Sequence, residues 1–265
     1  MIRKIFITGL LFATIGCSTV PVTGRRQLDL VPDSQLMSMS YTEYGTFLSQ
    51  HQLSDNAQAT AMVKTVGQRI QRAVETYMAQ NNLSEQLKGF QWEFNLVEDD
   101  QVNAWCMPGG KVVVYEGILP VTQNETGLAV VMGHEIAHAI AKHGSERMSQ
   151  GLAQQLGGVA LSVAVQNQPQ QTQNLFLTSY GVGSTLGILK YSRTQESEAD
   201  RLGLIFMAMA GYDPEAAIPF WERMAAQGGD GGTPQFLSTH PSDATRIRDL
   251  RSHMPEAKRY YTQKR

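Results

Sequence analysis

His134-Glu135-Ile136-Ala137-His138 places two imidazoles four residues apart, with a carboxylate directly after the first. On a helix this spacing puts both rings on one face, one turn apart. Two such nitrogens hold a zinc ion, and the glutamate beside them reaches a water on that metal. Without a metal, two polar rings and a carboxylate would be stranded in an apolar run at a high desolvation cost. The pattern therefore points to metal-assisted hydrolysis rather than to core histidines.

A zinc site that does chemistry needs a third protein ligand and one open position. Glu196-Ser197-Glu198-Ala199-Asp200 supplies the acids. Asp200 falls four residues after Glu196 on the same helical face, whereas Glu198 lies about 200° round. Glu196 is therefore expected on the metal, and Asp200 against the His134 ring, fixing its tautomer. Glu198 is expected in an ion pair elsewhere. His143, about 140° from His138 on a continuous helix, is not expected to ligate. His51 and His253 are expected at the surface. Zinc is preferred to iron because the donor set suits it and no redox partner is visible.

Those two motifs stand with Asn103-Ala104-Trp105-Cys106-Met107-Pro108-Gly109-Gly110 and Ser238-Thr239-His240-Pro241. In this order the four resemble the gluzincin metallopeptidases of the family that contains the CAAX prenyl endopeptidase, HtpX, the mitochondrial overlapping-activity protease and the bacterial lipoproteins LoiP and BepA. The resemblance runs from about Thr60 to Leu250. It implies a zincin-like domain that hydrolyses peptide bonds, Glu135 taking a proton from the attacking water and returning it to the leaving nitrogen. It also implies an edge strand beside the metal, where Asn103 and Ala104 bind an extended polypeptide by strand addition. His240 then approaches the zinc, either stabilising the oxyanion or filling the open position. Arg246 buttresses that end or contacts substrate. By the same resemblance the substrates are unfolded envelope proteins. A latent chaperone or adaptor for outer-membrane assembly machinery is the alternative, and an amidase acting on cell-wall peptides is a weaker one.

The elements that must carry these residues can be read from periodicity. Asn124 caps a helix that is apolar nearly all round and therefore buried; Lys142, His143 and Gly144 suit its end. A second apolar helix, Ala199 to Ala210, follows Glu196 and stops at Gly211. Met62, Val66, Ile70, Val74 and Met78 mark a long helix over 57–80. Strands are expected at 90–97, 103–107 and 112–115. The fold class is α+β, mainly helical, with one small sheet. Two apolar stretches, 151–165 and 175–189, flank a glutamine-rich patch at 166–174 that reads as a loop. Residues 151–190 are thus a lid hairpin, a membrane contact or two core helices. Gly228 to Gly232 reads as flexible, and a helix is expected from Ser242.

The first seventeen residues read as a targeting segment: Arg3 and Lys4, an apolar core from Ile5 to Ile15, then Gly16-Cys17-Ser18. The end resembles a bacterial lipobox with Thr14 where leucine is usual. Cys17 is then lipidated and the protein held at the periplasmic face of the outer membrane, or, failing lipidation, soluble in the periplasm. Residues 18–33 read as a tether and 34–265 as the peptidase domain. With only two cysteines in 265 residues, a lipidated Cys17 leaves Cys106 without an intramolecular partner, as a small buried residue. The near-balanced charge, 22 basic against 24 acidic residues, argues against nucleic-acid binding.

Overall fold

The computed structural model describes residues 17–21, 23–155, 160–182, 191–227, 234–240 and 244–262. The targeting segment before Cys17, the glycine run 228–232 and the start of the helix expected at Ser242 lie outside them. In chain order the elements are strands β1 (Cys17–Thr19) and β2 (Arg26–Leu28), helices α1 (Asp33–Gln50) and α2 (Ala57–Gln80), and strands β3 (Glu93–Val97), β4 (Ala104–Met107) and β5 (Lys111–Tyr115). Helices α3 (Leu119–Thr122), α4 (Glu125–Ile140), α5 (His143–Gln155), α6 (Leu161–Asn167) and α7 (Pro169–Ser179) follow. The last are α8 (Arg193–Met209), α9 (Ala217–Ala226), α10 (Gln235–Thr239) and α11 (Ala244–Thr262). The α+β class holds. Among the described residues no helix is long and apolar enough to cross a membrane.

The larger sheet has the order β3-β5-β4, β5 running parallel to β3 and antiparallel to β4. It divides two cores by the two-residue alternation of strand side chains. Ala104, Cys106, Val112 and Val114 face a core shared with Val66, Ile70 and Val74 of α2 and with α4, α8, α9 and α11. Trp105, Met107, Val113 and Tyr115 face a second core, with Tyr44 and Phe47 of α1, Met148 and Leu152 of α5 and Phe176 of α7. Helix α4, expected to be buried on all sides, packs against α2, α8 and β4. Its N-terminus is capped as expected, Asn124 Oδ1 accepting the Gly127 N–H at 3.0 Å.

At one point α4 and α8 meet backbone to backbone. A Cβ on Gly203 would lie 3.0 Å from the His134 nitrogen, and one on Gly133 would lie 3.1 Å from the Gly203 carbonyl oxygen. Glycine at both positions leaves this approach free, where a Cβ would be tight against the facing backbone, and it brings the acids of α8 up to the histidines of α4.

Three expectations are corrected. Residues 18–33 are not a free tether: β1 and β2 form an antiparallel hairpin, and Gln27 Nε2 donates to the Ala141 carbonyl at 2.9 Å. Helix α4 does not run on to Gly144. It ends at Ile140, Lys142 turns the chain with φ 58°, and Gly144 lies inside α5 against the Tyr180 ring. The polar patch at 166–174 is mostly helix, because Pro169 starts α7 and Gln173 bonds Glu43 of α1 at 2.9 Å. From the described parts of 151–190, Leu152, Leu161, Leu175, Phe176 and Tyr180 join the second core, while Val163 and Val165 are exposed; residues 156–159 and 183–190 lie outside the described residues.

Candidate metal centre

His134 and His138 project from α4 with their Nε2 atoms 3.1 Å apart. Glu196, in the first turn of α8, reaches both: Oε2 lies 3.6 Å from His134 Nε2 and Oε1 3.4 Å from His138 Nε2. Ser192 and Gln195 fix that turn by a reciprocal capping box. His240, just past α10, brings Nδ1 to 3.2 Å from His134 Nε2 and 3.0 Å from Glu196 Oε1. One donor atom from each of the four lies within 4.8 Å of the others, and all four residues are buried.

This set fits zinc. Bonds of about 2.1 Å in a tetrahedron put neighbouring donors roughly 3.4 Å apart; the separations among His134, His138 and Glu196, and those of His240 from His134 and Glu196, run from 3.0 to 3.6 Å. Three nitrogens and one carboxylate are ordinary zinc donors. Burial holds the pKa of both α4 histidines well below the usual value, leaving them neutral as ligation requires. Glu196 is pushed up by burial, but His240 and Arg246 outweigh this and hold it well below the usual carboxylate range.

Around this group lie the groups that orient it. Asp200 Oδ1 is 3.0 Å from His134 Nδ1, a placement that favours a proton on Nδ1, and Nε2 faces the other donors. Arg246, from α11, donates to Glu196 Oε2 at 2.8 Å and Asp200 Oδ1 at 2.6 Å. Its guanidinium carbon lies 3.2 Å from the centre of the Trp221 ring. That geometry is a buttress beneath the ligands; the side chain is buried. Glu135 lies beside the donor group with Oε1 3.4 Å from His240 Nε2, too poorly aligned to bond. Oε1 is buried and has no hydrogen-bond partner among the described residues. Burial pushes the Glu135 carboxyl up to about 7.

Asn103 and Ala104 sit at the start of edge strand β4, which α4 packs against. Asn103 is 3 % exposed and its Oδ1 accepts the neighbouring Ala104 N–H at 3.0 Å. The Val102 carbonyl accepts the Phe236 N–H at 3.1 Å, so the α10 segment covers the strand's entry. Cys106 is buried in the same strand, and burial pushes its thiol well up; Cys17 is exposed.

Several residues that face the centre carried no recognisable signal in the sequence. Tyr191 lies against His138, ring centres 3.9 Å apart, and stacks on His240 at 5.0 Å. His143 stands outside the four-residue donor group, but the turn at Lys142 re-aims it, and its Nδ1 lies 3.0 Å from His138 Nδ1. Glu198 is in an ion pair, as expected of it, but a buried one with His143 and Arg25. His51 and His253 are half-buried rather than free at the surface, His51 stacked on Phe47 and His253 beside Ser197.

Comparison with known proteins agrees with this geometry. The family model described as "Peptidase family M48" matches residues 65–254. The "Mitochondrial metalloendopeptidase OMA1" of Schizosaccharomyces pombe is 34% identical over 242 residues, covering 90% of this chain and 66% of that protein. The protein of the same name from Saccharomyces cerevisiae is 36% identical over 186 residues, 67% of this chain and 51% of its own. The "Beta-barrel assembly-enhancing protease" of Escherichia coli K12 is 30% identical over 169 residues, 61% and 34%. The chain thus spans a third to two thirds of the length of these relatives.

Proposed function

The chain belongs to peptidase family M48, a zinc-dependent family, and from that premise we propose that it is a metalloendopeptidase of the bacterial cell envelope acting on extended or misfolded polypeptides. One observation carries the reading. The donor atoms of His134, His138 and Glu196 converge from two helices, and the unbonded Oε1 of Glu135 is buried beside them. Those three residues hold the zinc, which when bound supplies a water acidic enough to attack a polarised carbonyl. Glu135 accepts that water's proton at Oε1 and passes it to the departing amide nitrogen, a role worth typically about 10²–10⁴-fold in rate. Asp200 and Arg246 keep His134 and Glu196 in place. Asn103 and Ala104 open the strand on which an extended substrate pairs.

The envelope assignment is supported by the lipobox-like Gly16-Cys17-Ser18 and by the beta-barrel assembly named in the Escherichia coli relative. The mitochondrial relatives speak for the chemistry and not for this compartment. Lipidation at Cys17 would tether the enzyme at the outer membrane, close to its assembly machinery.

A second reading has its own observation. His240 Nδ1 sits at the fourth corner of the donor group, where the attacking water belongs, and the segment that carries it covers the entry to β4. In this arrangement the peptidase is latent, and it serves as a chaperone or assembly adaptor until residues 234–240 move away. The test is digestion of an unfolded outer-membrane porin by purified wild type, Glu135→Gln and His240→Ala. The peptidase reading expects Glu135→Gln to keep its zinc and lose hydrolysis; cleavage at the wild-type rate refutes it. Latency expects His240→Ala to cleave faster than wild type. If Glu135→Gln restores a deletion strain's phenotype, binding outweighs cleavage.

A further inference from the structure

His138 is oriented in a different way from its neighbour. Its Nε2 faces Glu196 and His134, so its Nδ1 must carry the proton. That proton points at His143 Nδ1, 3.0 Å away, which accepts only if His143 is protonated on Nε2. His143 Nε2 lies 3.0 Å from Glu198 Oε2, a carboxylate oxygen that accepts the hydrogen bond from this N–H. The network thus assigns both tautomers, and every link donates in one direction: His138 to His143 to Glu198.

Glu198 is in turn clamped from the far end of the chain. Arg25 Nε donates to both its oxygens at 3.0 Å, and Thr23 Oγ1 donates to Oε1 at 2.7 Å. The other edge of the same guanidinium grips Glu146 of α5 through two bonds of 2.8 Å. Gln195, the residue before the metal glutamate, donates to Glu146 Oε2 at 2.7 Å. Arginine suits this place because its planar fork offers paired donors to two carboxylates at once, a geometry that the three donors of a compact ammonium do not reproduce. Thr23 and Arg25 both lie in the turn of the β1–β2 hairpin, a few residues after Cys17.

We propose that His143, Glu198 and Arg25 are positioning residues for the metal ligand His138, so that the N-terminal hairpin is part of the metal centre's support. The carboxylate that normally backs a metal histidine is here displaced outward by one imidazole, and its position is set by the segment next to the candidate lipid anchor. This deepens the zinc-peptidase reading and rests on it.

The test measures zinc affinity of the full chain by competition with a chromophoric chelator, and the cobalt(II) absorption spectrum as a report on ligand geometry. The variants are His143→Ala, Glu198→Gln, Arg25→Ala, Arg25→Lys and the double Arg25→Ala/Glu198→Gln. Loss of a supporting partner typically weakens metal binding about 10–100-fold, which is expected for His143→Ala and Glu198→Gln together with a shifted cobalt spectrum. Arg25→Ala should give a smaller loss that Arg25→Lys does not rescue. The double variant should bind no more weakly than Glu198→Gln alone, because Arg25 acts through Glu198.

Melting temperatures of the zinc-free proteins are followed in parallel. The Arg25 side chain is 26% exposed, so its variants keep the test alive if the buried ones fail to fold. Lower zinc-free melting temperatures with unchanged affinity and spectrum mean a merely structural role and overturn the proposal, as do additive losses in the double variant. Wild type that binds no zinc overturns the peptidase reading itself, a result distinct from unchanged variants.

Discussion

The two histidines that α4 gives to the donor group are one helical turn apart and yet are held by segments from opposite ends of the chain. His134 is backed directly by Asp200, which stands on the same helix as the ligand Glu196 and is locked by Arg246 from α11. His138 is backed through His143 by Glu198, which points the other way from α8 toward the N-terminal hairpin. Helix α8 therefore serves both rings, with Asp200 on one face and Glu198 on the other. The first support is short, buried and internal to the main core. The second is long, crosses to α5 and ends at a part-exposed arginine.

The direct support should be the harder to lose. Asp200→Ala removes the carboxylate beside His134 and takes from the buried Arg246 one of its carboxylate partners. Breaking a buried pair in this manner costs roughly 3–5 kcal/mol, and the surviving bond to Glu196 puts the cost near the lower figure. Denaturant unfolding of the zinc-free protein should show that loss, and a change of less than about 1 kcal/mol, the worth of an exposed pair, would put the two supports on an equal footing.

Next in size comes the contact between α4 and α8. Gly203→Ala forces a methyl against the His134 backbone and should cost about 1–3 kcal/mol, as overpacking does. It should also weaken zinc binding, because it displaces Glu196, Asp200 and Glu198 together. Isothermal calorimetry with zinc checks this, and full affinity in a destabilised variant would show that the ligands tolerate a shift of the helix.

The smallest effect is expected where the same helix meets α11 at the surface. Arg201 donates to Glu256 at 2.7 and 2.9 Å, and this hydrogen-bonded arginine holds the Glu256 carboxyl below its usual value. A depressed folded-state pKa gives stability that is present above the unfolded value and fades as pH falls through the folded one. Glu256→Gln should therefore cost less than about 1 kcal/mol at pH 7, shrinking toward zero below about pH 4. An effect as large as that of Asp200→Ala would mean that α11 holds the centre through its whole length.

The side of the molecule with the short support was the legible one. Periodicity places His134 with His138, and Glu196 with Asp200, because each pair lies within one continuous helix, and the short apolar runs read as strands at 103–107 and 112–115 fall on β4 and β5. The long support was hidden for particular reasons. A break at Lys142, a non-glycine residue in the left-handed region, turns His143 back toward His138 when helical counting sends it away. Glu198 was read as an ion-pair residue, and the structure pairs it, but its partner Arg25 lies 173 positions away in a stretch whose proline, glycine and arginines read as a tether. The patch at 166–174 reads as a loop from its glutamines, and tertiary contacts such as Gln173 with Glu43 hold it helical. Local pattern reports a helix face; it does not report a contact between distant turns.

The most direct test of the whole account is zinc X-ray absorption on the full chain loaded with one equivalent of metal, alongside Glu196→Ala. The account predicts one zinc per chain with nitrogen and oxygen donors at about 2.0–2.1 Å, no sulfur donor, and loss of that zinc in Glu196→Ala. A sulfur donor, or zinc held equally well without the Glu196 carboxylate, would contradict it.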